Sequence, residues 1–155
     1  LMKKPNFKPV DGAITAPQGF LTSGVFCDIK RLGTGKGSNK GPKRDLALLV
    51  SEVPATVAGM FTTNQICAAP VKVCAERVKA GVAQAIVVNS GNANACTGKL
   101  GMIHAKAMTT AVARRLKCPD EHVLAALLGD EAKALRLVEP LHGALSHFPV
   151  PPFDY

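Results

Sequence analysis

The stretch Asn89-Ser90-Gly91-Asn92-Ala93-Asn94-Ala95-Cys96-Thr97-Gly98 gathers three carboxamides, two hydroxyls and a thiol. The chemistry open to such a set is hydrogen-bonded recognition of a polar ligand. Its place favours that reading. It follows the branched apolar run Ala85-Ile86-Val87-Val88 and precedes a long amphipathic segment. Polar loops between a buried strand and a helix commonly hold binding sites. Asn and Gly are also the ordinary turn residues, since they accept left-handed backbone angles. Residue types alone leave both readings open.

Other reactive residues make weaker sets. His104 has no Asp or Ser at a spacing that would orient it as a base. Met108-Thr109-Thr110-Ala111 looks superficially like a self-cleavage site, but it falls inside a helical stripe where a cut would destroy the element. His142 and His147 have no metal-ligand spacing with Cys or acids. The cysteines, Cys27, Cys67, Cys74, Cys96 and Cys118, are odd in number and form no CxxC. Several lie in apolar runs, where Cys acts as a small hydrophobe. A reducing, cytoplasmic setting is the default expectation, with no signal peptide and no apolar run long enough to span a membrane.

The net charge is +8, and Lys30, Arg31, Lys36, Lys40, Lys43 and Arg44 supply six of those charges with no acid among them. A phosphate loop needs Gly, four residues, then Gly-Lys-Ser/Thr opening a helix. Here Gly37 follows Lys36, position 30 is Lys, and a strand comes next. A solvated loop fits better. A basic anion-binding or structural module is kept as the alternative function. Nucleic acid is not the expected partner, because with no Trp, one Tyr and six Phe the chain is poor in stacking platforms.

The elements that must position these residues read as α+β in one domain. Residues 1–10 are a basic, Pro-broken lead-in, and 11–20 read as turn and extended backbone. Residues 23–30 read as a short strand. Asp45–Ser51 and Thr56–Thr63 read as two strands of an antiparallel hairpin, turned at Glu52-Val53-Pro54-Ala55. Pro70 opens a helix with Val71, Cys74, Ala75 and Val78 on one face, stopped by Gly81. A strand at 84–88 leads into the Asn-rich stretch. Leu100, Ile103, Ala107, Met108, Ala111, Val112 and Leu116 mark a helical stripe over about 99–117, ended by Pro119. His122–Gly129 begins as a strand, and Asp130–Glu139 reads as a helix. Beyond it the Pro-rich end has no period.

Five blocks in order resemble one family. They are Thr15-Ala16-Pro17-Gln18-Gly19-Phe20, Lys43-Arg44-Asp45-Leu46-Ala47-Leu48, Val57-Ala58-Gly59-Met60-Phe61-Thr62-Thr63-Asn64, Ala68-Ala69-Pro70-Val71 and Val88-Asn89-Ser90-Gly91-Asn92-Ala93-Asn94-Ala95-Cys96-Thr97-Gly98. Together they resemble the N-terminal, α-chain part of the ornithine acetyltransferases, the bifunctional glutamate N-acetyltransferases of arginine biosynthesis. The resemblance covers about residues 12–126. It implies an αββα-type layered sandwich of the N-terminal nucleophile kind, here partial. It implies acetyl transfer from N-acetylornithine to glutamate, with acetyl-CoA a substrate of some members and no resident cofactor or metal. It also implies autocatalytic cleavage that frees a nucleophilic Thr, a β chain as partner and a homo-oligomer.

The pattern then departs. Where the family has Ser-Thr-Gly, whose Thr-Gly pair forms the oxyanion hole, this chain has Leu127-Leu128-Gly129. Only Gly129 remains as a catalytic remnant, and Leu offers no hydroxyl. One oxyanion donor is worth about 10²–10³ in rate. The expectation is a partial domain over 1–126 and a divergent, irregular or disordered tail over 127–155, out of frame or replaced. The family's nucleophilic Thr has no counterpart in these residues, so they are expected to be inactive alone.

Overall fold

The computed structural model describes residue 8, residues 10–27, residue 29 and residues 44–129. Four strands form one sheet: β1 (Phe20–Val25), β2 (Leu46–Thr56), β3 (Val82–Ala93) and β4 (Val123–Gly129). Their spatial order is also β1-β2-β3-β4. The first two pairings are antiparallel and β3 with β4 is parallel. A parallel pair needs a crossover, usually a helix. Between β3 and β4 that crossover is α2 (Gly98–Leu116), which follows α1 (Ala69–Arg77) in the chain.

Alternation along the strands selects one face for the core. Leu46, Leu48 and Val50 of β2 and Ala83, Ala85 and Val87 of β3 are buried, two residues apart, as a pleated strand requires. Val73 of α1 and Met108, Val112 and Leu116 of α2 join this face in a single cluster with Val123 and Ala125 of β4. Among the described residues the other face of the sheet is only partly buried. Thr22, Ala47, Leu49, Ile86 and Val88 line a groove of about 600 Å³ there.

Local signals set the helix ends. Pro70 sits in the first turn of α1, where its missing N–H is no loss. A short 3₁₀ turn, Val78–Ala80, follows, and Gly81 closes it at φ 73°. α2 ends at Lys117, itself left-handed at φ 55°, before Pro119. β4 begins one residue later than the strand expected from His122.

Four expectations need correction. Thr56–Thr63 is not a second hairpin strand. β2 runs on through Pro54 to Thr56, and residues 57–64 have no regular structure. Pro54 is tolerated because the β2–β3 register shifts between Val50 and Ala55, a bulge that spares its missing donor. The strand expected at 23–30 is β1, displaced to Phe20–Val25, and Ile29 lies in helical backbone. The Asn-rich stretch is not a loop throughout, since β3 continues to Ala93. The α2 stripe holds at Met108, Ala111, Val112 and Leu116 but fails in the first two turns. There Leu100 and Ile103 are exposed, while Gly101 and Ala105 are buried.

Arg77 fastens the helical layer to the sheet. Its guanidinium donates to the Val123 carbonyl at the head of β4 and, at 2.7 Å, to Asp120. Asp120 also accepts from the Thr110 hydroxyl of α2 at 3.0 Å. The Arg77 side chain is 9% exposed, so this fork is made largely out of water, although Asp120 is 41% exposed and screened. Arg77→Ala should lower unfolding stability by about 2 kcal/mol, read by urea denaturation. Arg77→Lys should recover less than half, because an ammonium does not reproduce the planar fork.

Candidate functional site

The parallel strands β3 and β4 end side by side, and the Asn-rich stretch lies there. Asn89 is in register with Leu127, Ser90 with Leu128 and Gly91 with Gly129. Gly129 also faces Asn92 and Ala93, because the register slips at the end of β3. The sequence signature and the Leu127-Leu128-Gly129 departure are therefore neighbours on adjacent strands. α2 starts from this same end, and ligands in open α/β sheets bind outside the carboxyl ends of parallel strands.

Beyond Ala93 the chain turns through unusual backbone. Asn94, Cys96 and Gly98 have φ of 43°, 59° and 57°. Side chains hold the turn. Asn94, almost fully buried, donates from Nδ2 to the Gly101 carbonyl at 2.8 Å. The Thr97 hydroxyl donates to Asn94 Oδ1 at 2.5 Å. The Asn94 carbonyl accepts from the Ala69 N–H at 3.2 Å, so the starts of α1 and α2 are tied together. Asn94 and Thr97 thus act as structural turn residues. The binding reading attaches to what they frame. Gln65, Cys67, Lys72, Cys96, Thr97 and Met102 help to line a cavity of about 350 Å³.

Asp45 supports the same end from β2. It is buried, and its carboxylate accepts from the Cys27 N–H at 2.7 Å and the Ile29 N–H at 2.6 Å. Its carbonyl accepts from the Ser90 N–H at 2.7 Å. Asn89 is fully buried on the core face, and its amide meets no hydrogen-bond partner among the described residues.

The remaining candidates fall outside this constellation. His104 is half-buried in the second turn of α2. Thr109 and Thr110 lie inside α2, as the stripe implies, and their hydroxyls donate to the Lys106 carbonyl at 2.9 Å and to Asp120. No cluster of metal-binding residues occurs among the described residues. Burial pushes the thiols of Cys27, Cys74 and Cys118 up from the ordinary range. The basic run is described only at Arg44, and residues 30–43 lie outside the described residues. So do Asp130–Glu139, His142 and His147. The sequence pointed to the Asn-rich stretch and to Gly129. It did not single out Asp45, Lys72 or Cys67, since a strand-leading acid or a scattered thiol carries no local signal.

Comparison with known proteins agrees with this geometry. The ArgJ family model matches residues 24–139. The arginine biosynthesis bifunctional protein ArgJ of Caldanaerobacter subterraneus subsp. tengcongensis is 46% identical over 134 residues, covering 86% of this chain. That of Symbiobacterium thermophilum is 48% identical over 105 residues, covering 68%. The matches span only 31% and 24% of those proteins' own lengths. The crystal structure of ornithine acetyltransferase complexed with ornithine from Mycobacterium tuberculosis superposes with a TM-score of 0.74 at 31% identity, covering 89% of this chain and 72% of that one. The ArgJ structure from Bacillus halodurans gives 0.69 at 32% identity, covering 85% and 64%. The chain belongs to the ArgJ family, and its mixed sheet with two helices is a partial form of that α+β fold.

Proposed function

We propose that this chain is the signature-bearing N-terminal portion of a glutamate N-acetyltransferase of arginine biosynthesis. The observation that carries the reading is the register of Ser90 and Gly91 against Leu128 and Gly129 at the carboxyl ends of β3 and β4. In the transfer, the carbonyl oxygen of the acetyl group becomes an oxyanion that needs preorganised donors. The Gly129 N–H is the donor that remains at this position, and Leu128 removes the hydroxyl that its family counterpart contributes. The acetyl donor would be N-acetylornithine or acetyl-CoA and the acceptor glutamate. The reacting Thr would come from a β chain released by self-cleavage, since Thr109 and Thr110 are held inside α2.

The partly buried sheet face fits the same proposal. A groove lined by Leu49, Ile86 and Val88 is what a second layer of the sandwich would cover. No helix among the described residues is long and apolar enough to cross a membrane; the cytoplasmic placement we propose rests on kinship with the ArgJ family. Residues 127–155 are, in this reading, a divergent end.

The test is direct. The purified 155-residue chain, incubated with N-acetylornithine and glutamate, should form no N-acetylglutamate above the uncatalysed background. Turnover that disappears on changing a residue within these 155 would overturn the proposal.

A further inference from the structure

Two of the five free cysteines stand apart from the others. Cys74 is engaged across the α1–β4 contact: its Sγ donates to the Ala125 carbonyl at 3.1 Å and accepts from the Ala125 N–H at 3.4 Å. Cys27 and Cys118 pack against the hydrophobic cluster. Burial raises all three thiols above their ordinary range, which lowers the thiolate fraction that reacts. Cys67 and Cys96 instead line the same 350 Å³ cavity, with Cys96 exposed and Cys67 half-buried.

One backbone hydrogen bond ties together the segments that carry these two. Cys67 lies two residues before Ala69, and Cys96 two residues after Asn94. The Ala69 N–H and the Asn94 carbonyl are hydrogen-bonded at 3.2 Å. A disulfide needs Cα atoms about 4.4–6.8 Å apart, while two residues of chain on each side of that bond can reach about 7 Å apiece, so the tether keeps the two segments together and the thiols meet by closing across the cavity. Any adjustment falls on residues 57–68, which carry no regular structure and can move without breaking a ladder.

We propose that Cys67 and Cys96 form a thiol pair that a low-molecular-weight disulfide oxidises to an intramolecular disulfide across this cavity. The Cys96 thiolate attacks one sulfur of the small disulfide, forms a mixed disulfide and expels one thiolate, which takes up the proton Cys96 gave up. The Cys67 thiolate then attacks the Cys96 sulfur and expels the second thiolate, which takes up the Cys67 proton. Two protein thiols are oxidised to one disulfide while one small disulfide is reduced to two thiols. The product links the segment before α1 to the turn before α2. It would close the cavity that Lys72 and Thr97 line. The pair does not depend on acetyl transfer, so it stands or falls separately from the proposed function.

Trypsin separates the partners, because Cys67 falls in the peptide from Asp45 to Lys72 and Cys96 in that from Ala80 to Lys99, each with a single cysteine. The folded 155-residue chain is treated with oxidised glutathione, alkylated, digested and mapped by mass spectrometry. The expected result is loss of two of the five thiols and a dominant 45–72/80–99 linked peptide. In urea the same treatment should spread linkages over all five cysteines. Cys67→Ser should leave glutathione on Cys96, and Cys96→Ser should slow the loss of thiol at Cys67. A glutathione adduct persisting on Cys96 in the unsubstituted chain would overturn the proposal. So would linkages dominated by Cys27, Cys74 or Cys118, or a distribution unchanged by urea. The mapping needs no variant, so a misfolded substitution does not blunt it.

Discussion

Asp45→Ala should lower unfolding stability by about 3–5 kcal/mol, because it strips two charge-assisted hydrogen bonds from a buried site. Asp45 is 2% exposed, and its carboxylate accepts the Cys27 N–H on Oδ1 and the Ile29 N–H on Oδ2. Ile29 is itself buried, so water cannot take the place of the lost acceptor. Against a typical total of about 5–15 kcal/mol, that loss is a large share. Asp45→Asn is not a mild change either. A carboxamide keeps one acceptor but turns an NH₂ toward the second N–H, donor against donor. We expect it to cost at least half as much as the Ala variant. The damage should reach the signature stretch, because the Asp45 carbonyl accepts the Ser90 N–H. Urea denaturation gives the loss, and hydrogen exchange at the Cys27, Ile29 and Ser90 amides locates it. An Asn variant within 1 kcal/mol of the parent chain, with the Ile29 amide still protected, would refute this account.

The core was legible where burial follows a period. The apolar runs at 46–50 and 85–88 read as strands, and burial then alternates along them because a pleated strand sends neighbours to opposite faces. The ends of the helices were legible in Pro70, Gly81 and Pro119. What failed did so for long-range reasons. Pro54 reads locally as a turn, yet pairing with β3 carries β2 past it on a bulge. Asn89–Ala93 read locally as loop, yet β4, over thirty residues later, supplies the partner that keeps them in a strand. Leu100 and Ile103 fit an apolar stripe but face outward, because close contact at Gly101 sets which side of α2 meets the turn. The site shows the same division. The sequence marked the Asn-rich stretch and Gly129 separately, and only the parallel register makes them neighbours. Asp45 needed the fold, since the Ile29 and Cys27 amides it binds lie sixteen and eighteen positions away.

Gly101→Ala should destabilise the protein by about 2–3 kcal/mol, although Ala is the better helix former by about 1 kcal/mol. The sign is set by space. A Cβ at position 101 would overlap the Thr97 side chain and Asn94 Oδ1. Neither can retreat freely. Thr97 Oγ1 and Asn94 Oδ1 are already bonded at 2.5 Å, and Asn94 Nδ2 is committed to the Gly101 carbonyl. Relief requires breaking that cluster in a buried site or moving the first turn of α2 away from β3. The turn carries Asn94 and Cys96 in left-handed backbone, a conformation that costs about 1–3 kcal/mol and persists only while its neighbours impose it. The change should therefore loosen the whole segment from Asn94 to Gly101 rather than one contact. A double-mutant cycle separates clash from loss of helix quality. Thr97→Gly removes the nearest obstruction at its own cost and frees Asn94 Oδ1 from its hydroxyl partner, so on that background the cost of Gly101→Ala should fall by at least half. Coupling of at least about 1.5 kcal/mol between the two positions is expected, within the usual range for residues in contact. If the two substitutions add with no coupling, the overlap is not what makes glycine necessary there, and the tight seating of α2 on the signature turn is wrong.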